Sequence, residues 1–81
     1  MELKETAKMM QSKDYKERFK AEYYQLKIRM DGLEAMLKKW QNGTLEFTPT
    51  CSYELLERQL AHMTEYAETL EERASVEEIE L

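Results

Sequence analysis

Basic and aromatic side chains cluster at the start of one long helical stretch. Lys13, Lys16, Lys20, Tyr24 and Lys27 recur at intervals of three or four residues, which puts them on one face of a helix. Arg18 and Arg29, eleven residues apart, share a neighbouring face, and Tyr15 stands at the helix start. This combination suits a phosphorylated nucleotide: cations neutralise phosphate and aromatic rings stack on bases. Free backbone N–H groups in the first turn of the helix would favour the anion further. The same spacing also fits a solvated lysine face that pairs with an acidic helix of a neighbouring chain.

The other chemistry-bearing side chains are isolated. His62 sits one residue before an apolar seam position, as a half-exposed helix-surface histidine does. Cys51 reads as a small apolar loop residue, with no base implied beside it. One Cys and one His make no recognisable metal-ligand set, and no cofactor motif stands out. The chain carries no Gly-rich phosphate loop, nucleophile elbow or paired-carboxylate arrangement. Nothing supplies a matched acid, base and nucleophile, so the expectation is a binding protein and not an enzyme.

The elements that must hold these residues are all helical. Leu3, Ala7 and Met10 stand at helical spacing, giving a short first helix over about 2–11. Asp14, with Glu17 three residues later, resembles a capping box and opens a long helix over about 14–41. Its apolar stripe is Phe19, Tyr23, Leu26, Met30, Leu33, Leu37 and Trp40, a heptad-type seam. Asn42-Gly43 stops it, and Leu45 and Phe47 are expected to tuck onto the hairpin end. Ser52 is the expected N-cap of a third helix over about 52–74, with the matching seam Tyr53, Leu56, Leu60, Met63, Ala67, Leu70 and Ala74. Residues 75–81 read as an acidic tail, frayed or bound to a partner.

Two matched seams and a short loop predict an all-α fold: an antiparallel helical hairpin with a short N-terminal helix, one domain over 1–81. A chain of 81 residues buries a thin core. A single cysteine rules out a disulfide within the chain, which leaves homo-oligomeric assembly into a helical bundle as the expected remedy. Apolar residues off the seam point the same way: Tyr24, Ile28, Ala35 and Met36 on the long helix, and Leu55, Tyr66 and Val76 beyond it.

Charge divides the chain. Residues 1–42 carry ten Lys/Arg and seven Asp/Glu, a net +3; residues 43–81 carry two Arg and ten Glu, a net −8; together these give −5. So acidic a chain is a poor partner for an extended nucleic acid, whose binding rests on many phosphate contacts. A small phosphorylated ligand needs only a few basic groups. With no signal-like start, no membrane-length apolar run and one free thiol, a cytoplasmic location is expected, without membrane contact.

The stretch Asp14-Tyr15-Lys16-Glu17-Arg18-Phe19-Lys20-Ala21-Glu22-Tyr23-Tyr24-Gln25-Leu26-Lys27, with the later Leu56-Glu57-Arg58-Gln59-Leu60-Ala61-His62-Met63-Thr64-Glu65-Tyr66, resembles small phage and prophage helical hairpins related to a crAss-like-phage family. A second resemblance concerns Ile28-Arg29-Met30-Asp31-Gly32. It is similar to the Ile-Lys-x-x-Gly segment of the helical-hairpin sponges that phages use against CBASS and Thoeris defence. That resemblance implies an oligomer, typically a hexamer, with cyclic di- or trinucleotide signals sequestered between protomers in an infected bacterial cell. It implies that Tyr15 stacks on a base and Arg29 meets phosphate, while Arg73 serves a pocket for cyclic trinucleotides. Leu26 and Lys27 stand where that family carries an Asn.

The expected function is therefore a non-cleaving sponge. Tyr15 and Tyr24 would stack on bases, Lys13, Lys16, Lys20 and Arg29 would contact phosphates, and Arg73 would serve a second pocket. The alternative is an acidic helical inhibitor or adaptor whose residues Glu65 to Glu80 dock on a host protein; a plain coiled-coil module is the third reading. Gly32, inside the long helix, marks either an exposed face or the close approach of a second backbone or a ligand.

Overall fold

The computed structural model describes the whole chain, Met1–Leu81, and is built from three α-helices without strands: α1 (Leu3–Met10), α2 (Tyr15–Gln41) and α3 (Tyr53–Glu77). Residues at the two ends of α2 touch the opposite ends of α3. Tyr15 meets Glu77, Tyr23 meets Glu71, and the Trp40 and Tyr53 rings pack edge-to-face at 5.5 Å. The pair is thus an antiparallel hairpin, and α1 folds back on α2 without touching α3. No helix is long and apolar enough to cross a membrane.

The heptad spacing accounts for the core. Phe19, Leu26 and Met30 of α2 interlock with Met63, Ala67, Leu70 and Ala74 of α3, and Tyr23, Leu33 and Leu60 pack against them half-buried. α1 covers the opposite side of α2. Ala21 is fully buried and lies about 160° round the helix from Phe19. Tyr24 and Ile28 share that side and are half-buried, so part of the apolar surface expected to meet another copy is covered within the chain. Thr6, also fully buried, donates its hydroxyl to the Leu3 carbonyl at 2.6 Å, which leaves no orphan polar group under α1.

Local chemistry sets the ends. Asp14 caps α2 by accepting from the Lys16 N–H at 3.0 Å, one residue short of the expected capping-box partner at Glu17. Gly43 takes φ +73° while Thr44 N–H donates to the Lys39 carbonyl and Gly43 N–H to that of Trp40, a Schellman closure that only glycine adopts without strain. Ser52 Oγ accepts from the Leu55 N–H at 3.1 Å and starts α3.

Two expectations are corrected. Leu45 is half-buried, but Phe47 stands out at 58% exposure, because the Trp40–Tyr53 pair already closes that end of the hairpin. The tail is neither frayed nor separate. α3 continues three residues past Ala74, Glu78 turns into the left-handed region at φ 58°, and Ile79 N–H returns to the Ala74 carbonyl at 2.8 Å. The turn lays Ile79 into the core at 6% exposure. A left-handed non-glycine residue costs on the order of 1 kcal/mol, and burial of the Ile79 side chain, worth roughly 1.5–3 kcal/mol, offsets it.

Candidate functional site

Two clefts open along the same side of the hairpin, in the furrow between α2 and α3. The larger, about 550 Å³, has a floor of Leu26, Leu56 and Met63 and is edged by Arg29, Arg58, His62 and Tyr66. Its volume falls within the range of small-molecule sites, and no carboxylate lines it. The smaller, about 280 Å³, is bounded by Met10, Tyr15, Arg18, Phe19, Glu22 and Arg73. From α2 the lining residues are Tyr15, Arg18, Phe19 and Glu22, then Leu26 and Arg29, a row at three- and four-residue intervals.

At the smaller cleft three side chains close a hydrogen-bonded ring. Arg73 Nη2 donates to the Tyr15 hydroxyl at 2.8 Å, the Tyr15 hydroxyl donates to Glu77 Oε1 at 2.7 Å, and Arg73 Nε donates to Glu77 Oε2 at 3.1 Å. The guanidinium also lies over the Phe19 ring, 4.9 Å from its centroid. The bond from Tyr15, reinforced by Arg73, holds the Glu77 carboxyl below its ordinary value. The same carboxylate raises the Tyr15 phenol and the Arg73 guanidinium. Arg18 is positioned by donating Nη1 to the Ser12 carbonyl at 2.8 Å. The Ile79 turn fixes the last turn of α3 and with it Glu77.

Among the residues singled out in the sequence, Tyr15 and Arg73 are brought into direct contact, although 58 residues separate them. Arg29 lies in the larger cleft, about 21 Å along α2 from Tyr15, so one chain does not join these two in a single pocket. Lys13, Lys16, Lys20 and Tyr24 line neither cleft; Tyr24 instead packs edge-on to Tyr23 at 5.9 Å. Gly32 faces open space, since a Cβ there would meet nothing within 4 Å. The sequence placed Arg18 beside Arg29 on a basic face but did not single it out as a ligand, and it assigned no such role to Arg58 or His62. The available signal was residue type. All four arginines of the chain, Arg18, Arg29, Arg58 and Arg73, line the two clefts, as does its single histidine, and none of its eight lysines does. Arginine is the cation whose planar fork meets phosphate oxygens in pairs.

The groups gathered here can bind an anion and stack a ring. A family model described as Sequestin matches residues 13–76, and the chain belongs to this family. No curated protein and no solved structure matches the chain.

Proposed function

We propose that this Sequestin-family chain sequesters a small cyclic nucleotide signal, holding it without cleaving it. The family name speaks of sequestering, and one observation carries the chemistry: every arginine faces the two clefts and every lysine faces elsewhere. A phosphodiester or diphosphate would be gripped by Arg18 and Arg73 in the smaller cleft and by Arg29 and Arg58 in the larger. Tyr15 and Phe19 on one side and Tyr66 on the other offer rings against which a purine stacks. To take a phosphate, Arg73 gives up part of its bond with Glu77, so Glu77 keeps the guanidinium oriented in the empty site and competes with weak anions. Cyclic di- and trinucleotides and cyclic ADP-ribose isomers all present this chemistry of purine and phosphate. The role proposed is that of a phage-encoded sponge acting in the cytoplasm of an infected bacterium.

Neither cleft alone presents a closed pocket, and we place the ligand where clefts of two copies meet, in a homo-oligomer. Closure would desolvate the phosphates and strengthen each charged hydrogen bond.

Native mass spectrometry tests the reading. The protein is sprayed alone and with a panel of cyclic di- and trinucleotides and cyclic ADP-ribose isomers. The expected result is an oligomer that gains whole numbers of one nucleotide, which is recovered with unaltered mass. Absence of any bound nucleotide would overturn the proposal in favour of a protein target for the acidic α3, and a ligand recovered with altered mass would overturn the non-cleaving role.

A further inference from the structure

Glu22 is the single carboxylate that lines either cleft. It is half-buried on α2, one turn beyond Arg18 and about 6 Å from it along the axis. An Arg and a Glu four residues apart are spaced to pair, yet these two do not. The ion pairs of the chain are Lys4–Glu2, Lys38–Glu34 and Arg73–Glu77. Arg18 turns to the Ser12 carbonyl, and Arg73 turns to Tyr15 and Glu77. That leaves the Glu22 carboxylate in the cleft wall without an ionic partner. It repels phosphate oxygens, so a cleft that took phosphate alone would do better without it. An ionised carboxylate only accepts hydrogen bonds, and the ligand group that satisfies it carries N–H donors.

We infer that Glu22 is the base-reading residue of the smaller cleft and selects guanine. The inference rests on the proposed binding of a cyclic nucleotide and names the base that this cleft reads. Along one edge guanine presents two acceptors, N7 and O6, followed by two donors, N1–H and the N2 amino group. Along α2 the cleft wall presents the complement: Arg18 with its donors, then Glu22 with two acceptor oxygens. The guanidinium of Arg18 carries five N–H donors, enough to meet O6 besides the Ser12 carbonyl and a phosphate. Tyr15, 48% exposed and one turn before Arg18, supplies a ring face beside the same row. Adenine is mismatched at both positions. It sets its amino donor against Arg18 and the bare N1 lone pair against the Glu22 carboxylate.

Competition read by native mass spectrometry tests this. The intact protein is sprayed from an equimolar mixture of cyclic di-GMP, cyclic GMP–AMP, cyclic di-AMP, cyclic tri-AMP and cyclic ADP-ribose. Wild type is expected to take up a guanine-containing ligand over the adenine-only ones by roughly 5–150-fold, the discrimination of one bidentate base contact. Glu22→Gln keeps the size of the side chain but sets one acceptor beside one donor, the match for adenine, and is expected to lose or invert the preference. Removal of a negative charge favours every anionic ligand alike, so the ratio of guanine to adenine uptake decides and the total does not. Glu22→Ala, which adds no donor, is expected to bring that ratio near one. A wild-type preference for an adenine-only ligand, or a ratio unchanged in both variants, overturns the inference and leaves sequestration standing. Uptake of none of the ligands by wild type overturns the proposed function together with it.

Discussion

Truncation of Ile79 to alanine tests whether the C-terminal turn holds the site together. The side chain is 6% exposed and belongs to the core cluster that includes Phe19, Leu70 and Ala74. Loss of three buried carbons at such a site costs about 2–5 kcal/mol in general. At a chain end, where neighbours relax into part of the cavity, we expect about 2–3 kcal/mol. In a domain of this size each kcal/mol moves the melting temperature by roughly 4–8 °C, which predicts a fall of roughly 10–20 °C at fixed protein concentration. Far-UV circular dichroism on heating, with urea unfolding as a second measure, reads both quantities. Leu81→Ala, at a residue 39% exposed, serves as control and should stay within about 0.5 kcal/mol. A loss for Ile79→Ala no larger than the control would refute the reasoning and free the tail from the core.

Three further outcomes follow from the same structure. Gly32→Ala should raise stability by about 1 kcal/mol, measured by urea unfolding, because the residue is inside α2 and the added methyl meets open space; a fall would mean that a second copy occupies that space. Burial first, then its bond to Glu71, pushes the Tyr23 phenol from 10.0 to about 12. A raised folded value stabilises below the unfolded one, so unfolding free energy should drop between about pH 10 and 12, and Tyr23→Phe should flatten that part of the profile. The Glu77 carboxyl is held below its ordinary value, so its contribution is present at neutral pH and lost on acidification through the ordinary carboxylate range; Glu77→Gln should reduce the acid-side slope of a pH-dependent unfolding series.

The hairpin was legible because its seam repeats: Phe19 through Trp40 and Tyr53 through Ala74 alternate at three and four residues, and a heptad period leaves two helices little choice of facing. The role of α1 was less so, since three apolar residues in a short helix do not say which neighbour they meet. Ile79 was hidden by composition. An isolated isoleucine among three glutamates after Val76 reads as solvated, and only the left-handed turn at Glu78 brings it back to the core. The site divided along the same line. Spacing along α2 groups Lys16 and Lys20 with Arg18 on equal terms, because period alone does not say which cations line a cleft; in the fold Tyr15, Arg18 and Arg29 do and the lysines do not. The bridge from Tyr15 to Arg73 and Glu77 crosses the hairpin, as does the convergence of Arg58 with Arg29. Both depend on how far α3 is slid against α2, which no single helix encodes.

Titration calorimetry on charge-preserving variants tests the central claim most directly, using the cyclic nucleotide that the wild-type protein takes up. Arg73→Lys and Arg58→Lys keep each positive charge but remove the paired donors; Lys16→Ala and Lys20→Ala remove charge outside the clefts. Loss of a charge-assisted hydrogen bond of about 1.5–3 kcal/mol predicts a roughly 10–150-fold weaker Kd for each arginine variant and little change for the lysine variants. Lysine variants that weaken binding more than the arginine ones would contradict the account and move the ligand to the lysine face of α2.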